Sequence, residues 1–276
     1  MDKQQIRELL DKIGIPCNII YNSNKGISNN NYIIDNRYIL KESYDLHFEV
    51  INNFSFKIQE EMNKFNFSPK PIYIDTERGI FLSEYIPFYK PVEDITYLNI
   101  EKLVKILRKL HSLKIEGPHL DYEKSLDFYR LILPVKDRIY VEHLEKSPLL
   151  SKEQEISHFD LITDNLLVDR NSDLKLIDYE FCIYAPKYFD LTSLLFENNF
   201  PEFIIDSIIN AYFKEDEENK KFYLDNKDEY RAIADLYWYH WAKARYLTSK
   251  KESFLNISID KKNTLFTYLR KKNQNI

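Results

Sequence analysis

Ile156 to Glu180 reads ISHFDLITDNLLVDRNSDLKLIDYE. It holds His158, Asp160, Asn165 and Asp178 in an order that suits one chemistry, phosphoryl transfer from a nucleotide. Asp160 and Asn165 are five positions apart, and the apolar run Leu166-Leu167-Val168 follows as a predicted strand. Arg170 to Asp173 predicts a turn, and Leu174 to Ile177 a second strand that ends at Asp178. Loop, strand, turn and strand would bring a carboxylate base, an amide oxygen and a second carboxylate to one rim. Transfer of a γ-phosphoryl group needs an acceptor hydroxyl held in line, a base near its proton and metal ions on the phosphates. Asp160 is the candidate base. Asn165 and Asp178 are candidate Mg²⁺ ligands, because Mg²⁺ prefers hard oxygen donors and few protein ligands. His158 is expected to hold the loop through hydrogen bonds. Asp and Asn are common turn formers, but the combined pattern H-x-D-x-x-x-x-N, strand, turn, strand, I-D is far more specific than any one of them.

The whole chain is compatible with that chemistry. Its 276 residues suffice for two modest lobes or one large domain. Hydrophobic residues make up 44% and charged residues 30%, the balance of a soluble globular protein. No apolar run approaches the ~20 residues of a membrane span. The start, MDKQQIRELLDKIG, reads as a polar amphipathic helix and not as a signal peptide, so no membrane insertion and a cytoplasmic location are expected. Cys17 and Cys182 alone make no disulfide framework, and no zinc-ligand spacing occurs. A net charge of −5 without a basic block argues against nucleic acid as a partner.

Periodicity divides the chain. Gln4 to Lys12 predicts a helix ended near Gly14 and Pro16, and Asn18 to Tyr21 a strand. Asn31 to Ile34 and Arg37 to Lys41 alternate as two strands around Asp35-Asn36, a tight hairpin turn. Residues 46 to 65 predict a helix capped by Ser43 or Asp45. Pro71 to Asp75 and Ile80 to Glu84 predict another strand pair. After Pro87 helices dominate: Leu98 to Leu113, Leu126 to His143 with Pro134 starting or kinking a segment, Phe189 to Glu197, Glu202 to Phe213, Lys227 to Leu247 and Asp260 to Lys271. The expectation is a small antiparallel-sheet lobe with one helix, residues 1–86, binding the nucleotide. A larger helical lobe, residues 87–276, would be catalytic and bind the acceptor. Lys41, at a strand end, would reach the nucleotide's phosphates, with Glu49 on the following helix as its ion-pair partner. The loop Asn24 to Asn29 would cover phosphates with backbone N–H groups, although it is neither G-x-G-x-x-G nor a Walker-type loop.

These residues, taken in order, resemble the choline/ethanolamine kinase and aminoglycoside phosphotransferase superfamily, over about residues 18 to 245. The resemblance rests on Lys41, Glu49, His158-x-Asp160-x-x-x-x-Asn165 and Ile177-Asp178-Tyr179-Glu180. Leu110-His111-Ser112-Leu113 is similar to an L-H-S-L helix end of that group, and Gly26-Ile27-Ser28-Asn29 to its G-x-T-N phosphate loop. Asp178-Tyr179-Glu180 stands where protein kinases carry D-F-G. Tyr184, Phe189-Asp190 and Trp238-x-x-Trp241 resemble the choline kinase branch. Two positions depart from the pattern: Phe159 stands where Asn or Gly is usual, and Lys41 where many choline kinases have Arg.

The resemblance implies an α+β, protein-kinase-like bilobal fold and an ATP- and Mg²⁺-dependent phosphotransferase that makes phosphocholine from choline. Asp160 would orient and deprotonate the hydroxyl, and Lys41 would steady the phosphate tail under Gly26, Ser28 and Asn29. The adenine would pair with backbone at Glu84, Tyr85 and Ile86. Choline's quaternary nitrogen donates no hydrogen bond, so aromatic faces and negative charge must recognise it. Trp238 and Trp241, three apart on one predicted helix face, and Tyr184 would hold it, with Asp235 adding negative potential. Glu180 has three readings: facing the ammonium, ordering a Mg²⁺-bound water or bracing the loop. Alternatives are a kinase of ethanolamine, thiamine or an aminoglycoside, and a nucleotide-binding pseudokinase acting as an interaction module.

Overall fold

Asp35 and Asn36 both take the left-handed backbone, with φ of 50° and 52°. They turn the chain from β2 (Asn29–Ile34) into β3 (Tyr38–Ser43). Two successive positive φ values suit a type I′ hairpin, whose twist matches that of the strands it joins. The Asp35 carboxylate also accepts from the Ile19 amide at 2.7 Å, which ties β1 (Ile20–Ser23) to the same turn. In this computed structural model the described residues are 1–23, 29–43, 52–92 and 99–274. They pack as two compact units, Met1–Glu116 with Thr163–Cys182, and Gly117–Ile162 with Ile183–Ile276.

The first unit is built on an antiparallel sheet in the order β1-β2-β3-β5-β4, with β4 at Pro71–Asp75 and β5 at Ile80–Glu84. Helix α1 (Lys3–Lys12) begins at a capping box, where Asp2 and Gln5 satisfy each other's backbone amides. Its Ile6, Leu9 and Leu10 join Ile20, Ile34, Leu40 and Leu82 in one core. Each fully buried aliphatic side chain there contributes roughly 1.5–3 kcal/mol. Helix α2 (Asn53–Lys64) is capped by Asn52, whose side chain accepts from Ser55 N, and Ser43 belongs to β3 instead. The earlier part of the predicted helix, with Asp45, lies outside the described residues. Helix α3 (Ile100–Ser112) follows Asn99 as its cap. A second sheet, β6-β8-β9, joins Lys90–Pro91, Leu166–Val168 and Leu174–Leu176.

The second unit is mainly helical. Helix α4 (Tyr122–Ile132) stops earlier than its periodicity suggests, because Leu133 turns extended ahead of Pro134. A single 3-10 turn over Val135–Asp137 precedes α5 (Glu142–Glu145). The buried Arg130 guanidinium clasps this bend, meeting Glu145 at 2.7 and 2.8 Å and the Ile139 carbonyl at 2.7 Å. Two short strands that the sequence did not signal, β7 (Gln154–Ser157) and β10 (Ile183–Pro186), pair antiparallel. Helices α6 (Phe189–Glu197) and α7 (Glu202–Phe213) match their expected spans. Helix α8 runs from Glu217 to Ser249, starting well before Lys227. The added turns are charged, but they bury Tyr223 among Tyr188, Phe213 and Tyr230. Lys250, at φ 59°, reverses the chain into α9 (Glu252–Gln274), which packs along α8. Among the described residues no helix is long and apolar enough to cross a membrane.

Candidate active site

In the first unit, strand alternation decides where Lys41 points. Leu40 is buried in the α1 core, so Lys41 projects to the opposite face. That face also carries its cross-strand partner Phe81, whose ring meets Phe56 of α2 at 5.9 Å. From there the Lys41 ammonium reaches Asp178 Oδ1 at 2.5 Å. Asp178 follows β9 in the left-handed conformation, φ 69° and ψ 57°. Asn165 precedes β8, and its carbonyl accepts from the Ile177 amide at 3.0 Å. The hairpin register, Leu166 opposite Leu176, therefore sets Asn165 beside the residue preceding Asp178. Glu180 accepts from the Asn29 side-chain amide at 2.7 Å. Gly26, Ser28 and Glu49 lie outside the described residues.

The hairpin has its own support. The Asp169 carboxylate accepts from the Asn171 and Asp173 amides and shapes the turn. Buried Lys175 donates to the Asn66 carbonyl at 2.6 Å and pairs with Asp173 at 3.1 Å, and Tyr89 donates to Asp173 at 2.8 Å. Burial lowers the Lys175 pKa. Sequence reasoning missed this cluster, whose one signal was a lysine inside an apolar strand. Of the three amides at Glu84 to Ile86, Glu84 donates to Lys70 O at 2.9 Å and Tyr85 to Arg37 O at 2.8 Å. Ile86 N–H has no backbone partner among the described residues.

In the second unit, the loop His158–Asp160 is anchored by Asp190, one residue into α6. The Asp190 carboxylate is 1% exposed and accepts from Ser157 Oγ at 2.7 Å, His158 N at 2.8 Å and Phe159 N at 2.9 Å. These donors hold Phe159 at φ 68°, a conformation costly for a bulky side chain. His158 is fully buried, and Asp160, which follows Phe159, is half-buried. Asp190 as the anchor was not foreseen; the Phe189-Asp190 pair was noted only as a likeness.

The aromatic residues separate in role. Trp238 is half-buried, with its ring 5.6 Å from Phe159 and 5.1 Å from Trp241. Trp241 is 4% exposed and packs edge-on to Phe254 at 5.4 Å. Tyr184 is half-buried and stacks one face on His119 at 4.6 Å. Asp235 does not offer its charge beside Trp238. It is 2% exposed, accepts from Thr264 at 2.7 Å, and faces Lys261 at 3.4 Å and Arg231 at 3.7 Å. Burial raises its pKa, while Lys261 works against that rise. The cause of this placement is α9, which lies along α8 and supplies both Lys261 and Thr264.

An amide oxygen at Asn165 and a carboxylate at Asp178 are the hard donors that Mg²⁺ takes, with phosphate and water oxygens completing its shell. Asp178 already receives the Lys41 ammonium, so its carboxylate is set to meet positive charge. The donor set fits the ion.

Comparison with known proteins adds to this geometry. The chain is similar in fold to choline kinase LicA from Streptococcus pneumoniae, with a TM-score of 0.76 and 18% identity, covering 96% of this chain and 99% of that one. It is similar to a choline/ethanolamine kinase family protein from Mesorhizobium loti, with a TM-score of 0.72 and 17% identity, over 98% and 95% of the two chains. The expected protein-kinase-like fold is the fold of this chain. In sequence it is 25% identical over 186 residues to an uncharacterized protein of Metamycoplasma hominis, across 64% of this chain and 35% of that protein. The chain thus covers about a third of the length of that curated relative. Over residues 24–223 it matches the model of APH, the phosphotransferase enzyme family, and the chain belongs to that family.

Proposed function

We propose that this protein transfers the γ-phosphoryl group of ATP to the hydroxyl of choline, giving phosphocholine and ADP. Family membership supports the reaction class. One observation carries the choice of acceptor: the half-buried Trp238 ring rests on Phe159, the residue next to Asp160. A quaternary ammonium gains from an aromatic face what it cannot gain from hydrogen bonds. The fold shared with a choline kinase supports the same choice.

Asp160 accepts the proton of the choline hydroxyl as the oxygen attacks the γ-phosphorus. Lys41 binds the phosphate tail as a point charge. Asn165 and Asp178 would hold Mg²⁺, which neutralises charge on the phosphates. Asn29, tied to Glu180, positions the strand that follows the phosphate loop. The Ile86 amide receives the adenine. Trp238 and Tyr184 take the trimethylammonium group, whereas Trp241 supports Trp238 from the core and Asp235 stays with α9.

ADP release with Mg²⁺-ATP, measured across choline, ethanolamine, thiamine and kanamycin, tests this reading. Choline is expected to give the highest kcat/KM. Turnover of kanamycin without turnover of choline would overturn it.

A further inference from the structure

We propose that Phe159 is a positioning residue that sets acceptor preference by fixing the distance between the Asp160 loop and the Trp238 ring. The inference rests on the reading of Trp238 as the ring that takes the acceptor's cationic head. Its own support is geometric. The Phe159 backbone is held by two acceptors, Asp190 Oδ1 at 2.9 Å and Ser157 Oγ at 3.1 Å. Its ring is held by three others: stacked on Phe189 at 5.8 Å, edge-on to Tyr237 at 5.1 Å, and tilted against Trp238 at 5.6 Å. With φ at 68°, a residue with no β-carbon would suit the backbone better. A large ring is retained in a strained conformation, and strain of this kind persists where the surroundings over-determine it.

The same contacts indicate which ring meets the acceptor. Phe159, Tyr237 and Trp241 are 4%, 8% and 4% exposed, so of the four rings Trp238 alone keeps appreciable surface. The acceptor's ammonium is thereby directed to Trp238, and the place of Trp238 relative to Asp160 is set through Phe159. A longer or bulkier cationic acceptor would then put its hydroxyl out of reach of the base.

Steady-state kinetics in ATP and in choline, with thermal melts of the same samples, test the inference. The proteins are wild type, Phe159→Leu, Phe159→Met, Trp238→Leu and the Phe159→Leu/Trp238→Leu double variant. Phe159→Leu is expected to raise the choline KM about tenfold while the ATP KM stays within about twofold. Phe159→Met, unbranched and more adaptable, fills the same space in another shape if leucine does not keep the fold, and gives the same split. The double variant raises the choline KM no further than Trp238→Leu alone, because both substitutions remove one coupled contact. Effects that multiply, or a rise in both KM values that tracks the loss of Tm, would overturn the proposal and leave Phe159 as packing. A wild-type protein that does not turn over choline defeats the underlying reading and this inference with it. Wild-type turnover of choline, with variants unchanged in choline KM, defeats the inference alone.

Discussion

The Lys41 ammonium and the Asp178 carboxylate stand 2.5 Å apart, one on the central strand of the five-stranded sheet and the other just past β9. Asp178 is thus the described acidic partner of Lys41, while Glu49 lies outside the described residues. When a nucleotide binds, the ammonium would exchange the carboxylate for phosphate oxygens. Lys41→Met is therefore expected to lower kcat/KM for ATP by roughly 30- to 100-fold, the worth of one charge-assisted contact. The choline KM should stay near its wild-type value. An equal loss in both would show that Lys41 serves the whole fold and not the phosphates.

Asp178→Asn keeps the shape of the side chain and removes its charge. The Mg²⁺ concentration at half-maximal rate is expected to rise about tenfold or more, and EDTA should silence the wild-type protein. A magnesium titration of ADP release measures both. An unchanged midpoint would remove Asp178 from the metal site.

Asp160→Asn cannot accept a proton. Turnover is expected to fall by about 10²–10⁴-fold, while calorimetry still shows ATP binding within about twofold of wild type. Substantial turnover in this variant would remove Asp160 as the base.

Asp190 gathers three donors in a site that is 1% exposed. Asp190→Ala leaves those donors unsatisfied and is expected to cost about 3–5 kcal/mol, a fall in Tm on the order of 10 °C. Phe159 also loses its backbone anchor, so kcat should drop even below the melting range. A variant with wild-type Tm would show that water replaces the carboxylate without cost.

His240 gives the fold an acid-sensitive point. Its Nε2 accepts from Ile139 N at 3.2 Å, and its other ring nitrogen faces Leu236 O at 2.8 Å, so the neutral ring is the one that fits. Burial lowers its pKa from 6.5 to about 4. The folded state therefore resists a proton that the unfolded chain takes up below pH 6.5. The stability contribution is whole above that pH, erodes as pH falls toward about 4, and amounts to roughly 3 kcal/mol across the window. His240→Gln should flatten the slope of urea-unfolding free energy between pH 6.5 and 4. An unaltered slope would assign the acid sensitivity to other groups.

Much of the local structure was legible in the sequence. The Asp35-Asn36 turn, the strands flanking it and the spans of α6 and α7 follow from preferences that act within a few residues. Of the misreadings, one has a local cause and the others come from distant packing. Pro134 ended α4 where apolar periodicity continued, and buried Tyr223 extended α8 through a charged stretch. β7 and β10 exist only because each has the other, and four residues carry no periodic signal of their own.

The sequence by itself determined a phosphotransferase family, a sheet followed by helices, and the spacing of Asp160, Asn165 and Asp178 along the chain. Tertiary structure decided the partners: Asp178 for Lys41, Asn29 for Glu180, Asp190 for the His158–Asp160 loop, and Lys261 for Asp235. The reason is physical. Turns, caps and strand alternation are set by neighbours in sequence, whereas the partner of a charged or aromatic side chain is whichever group the packing of distant elements brings within reach.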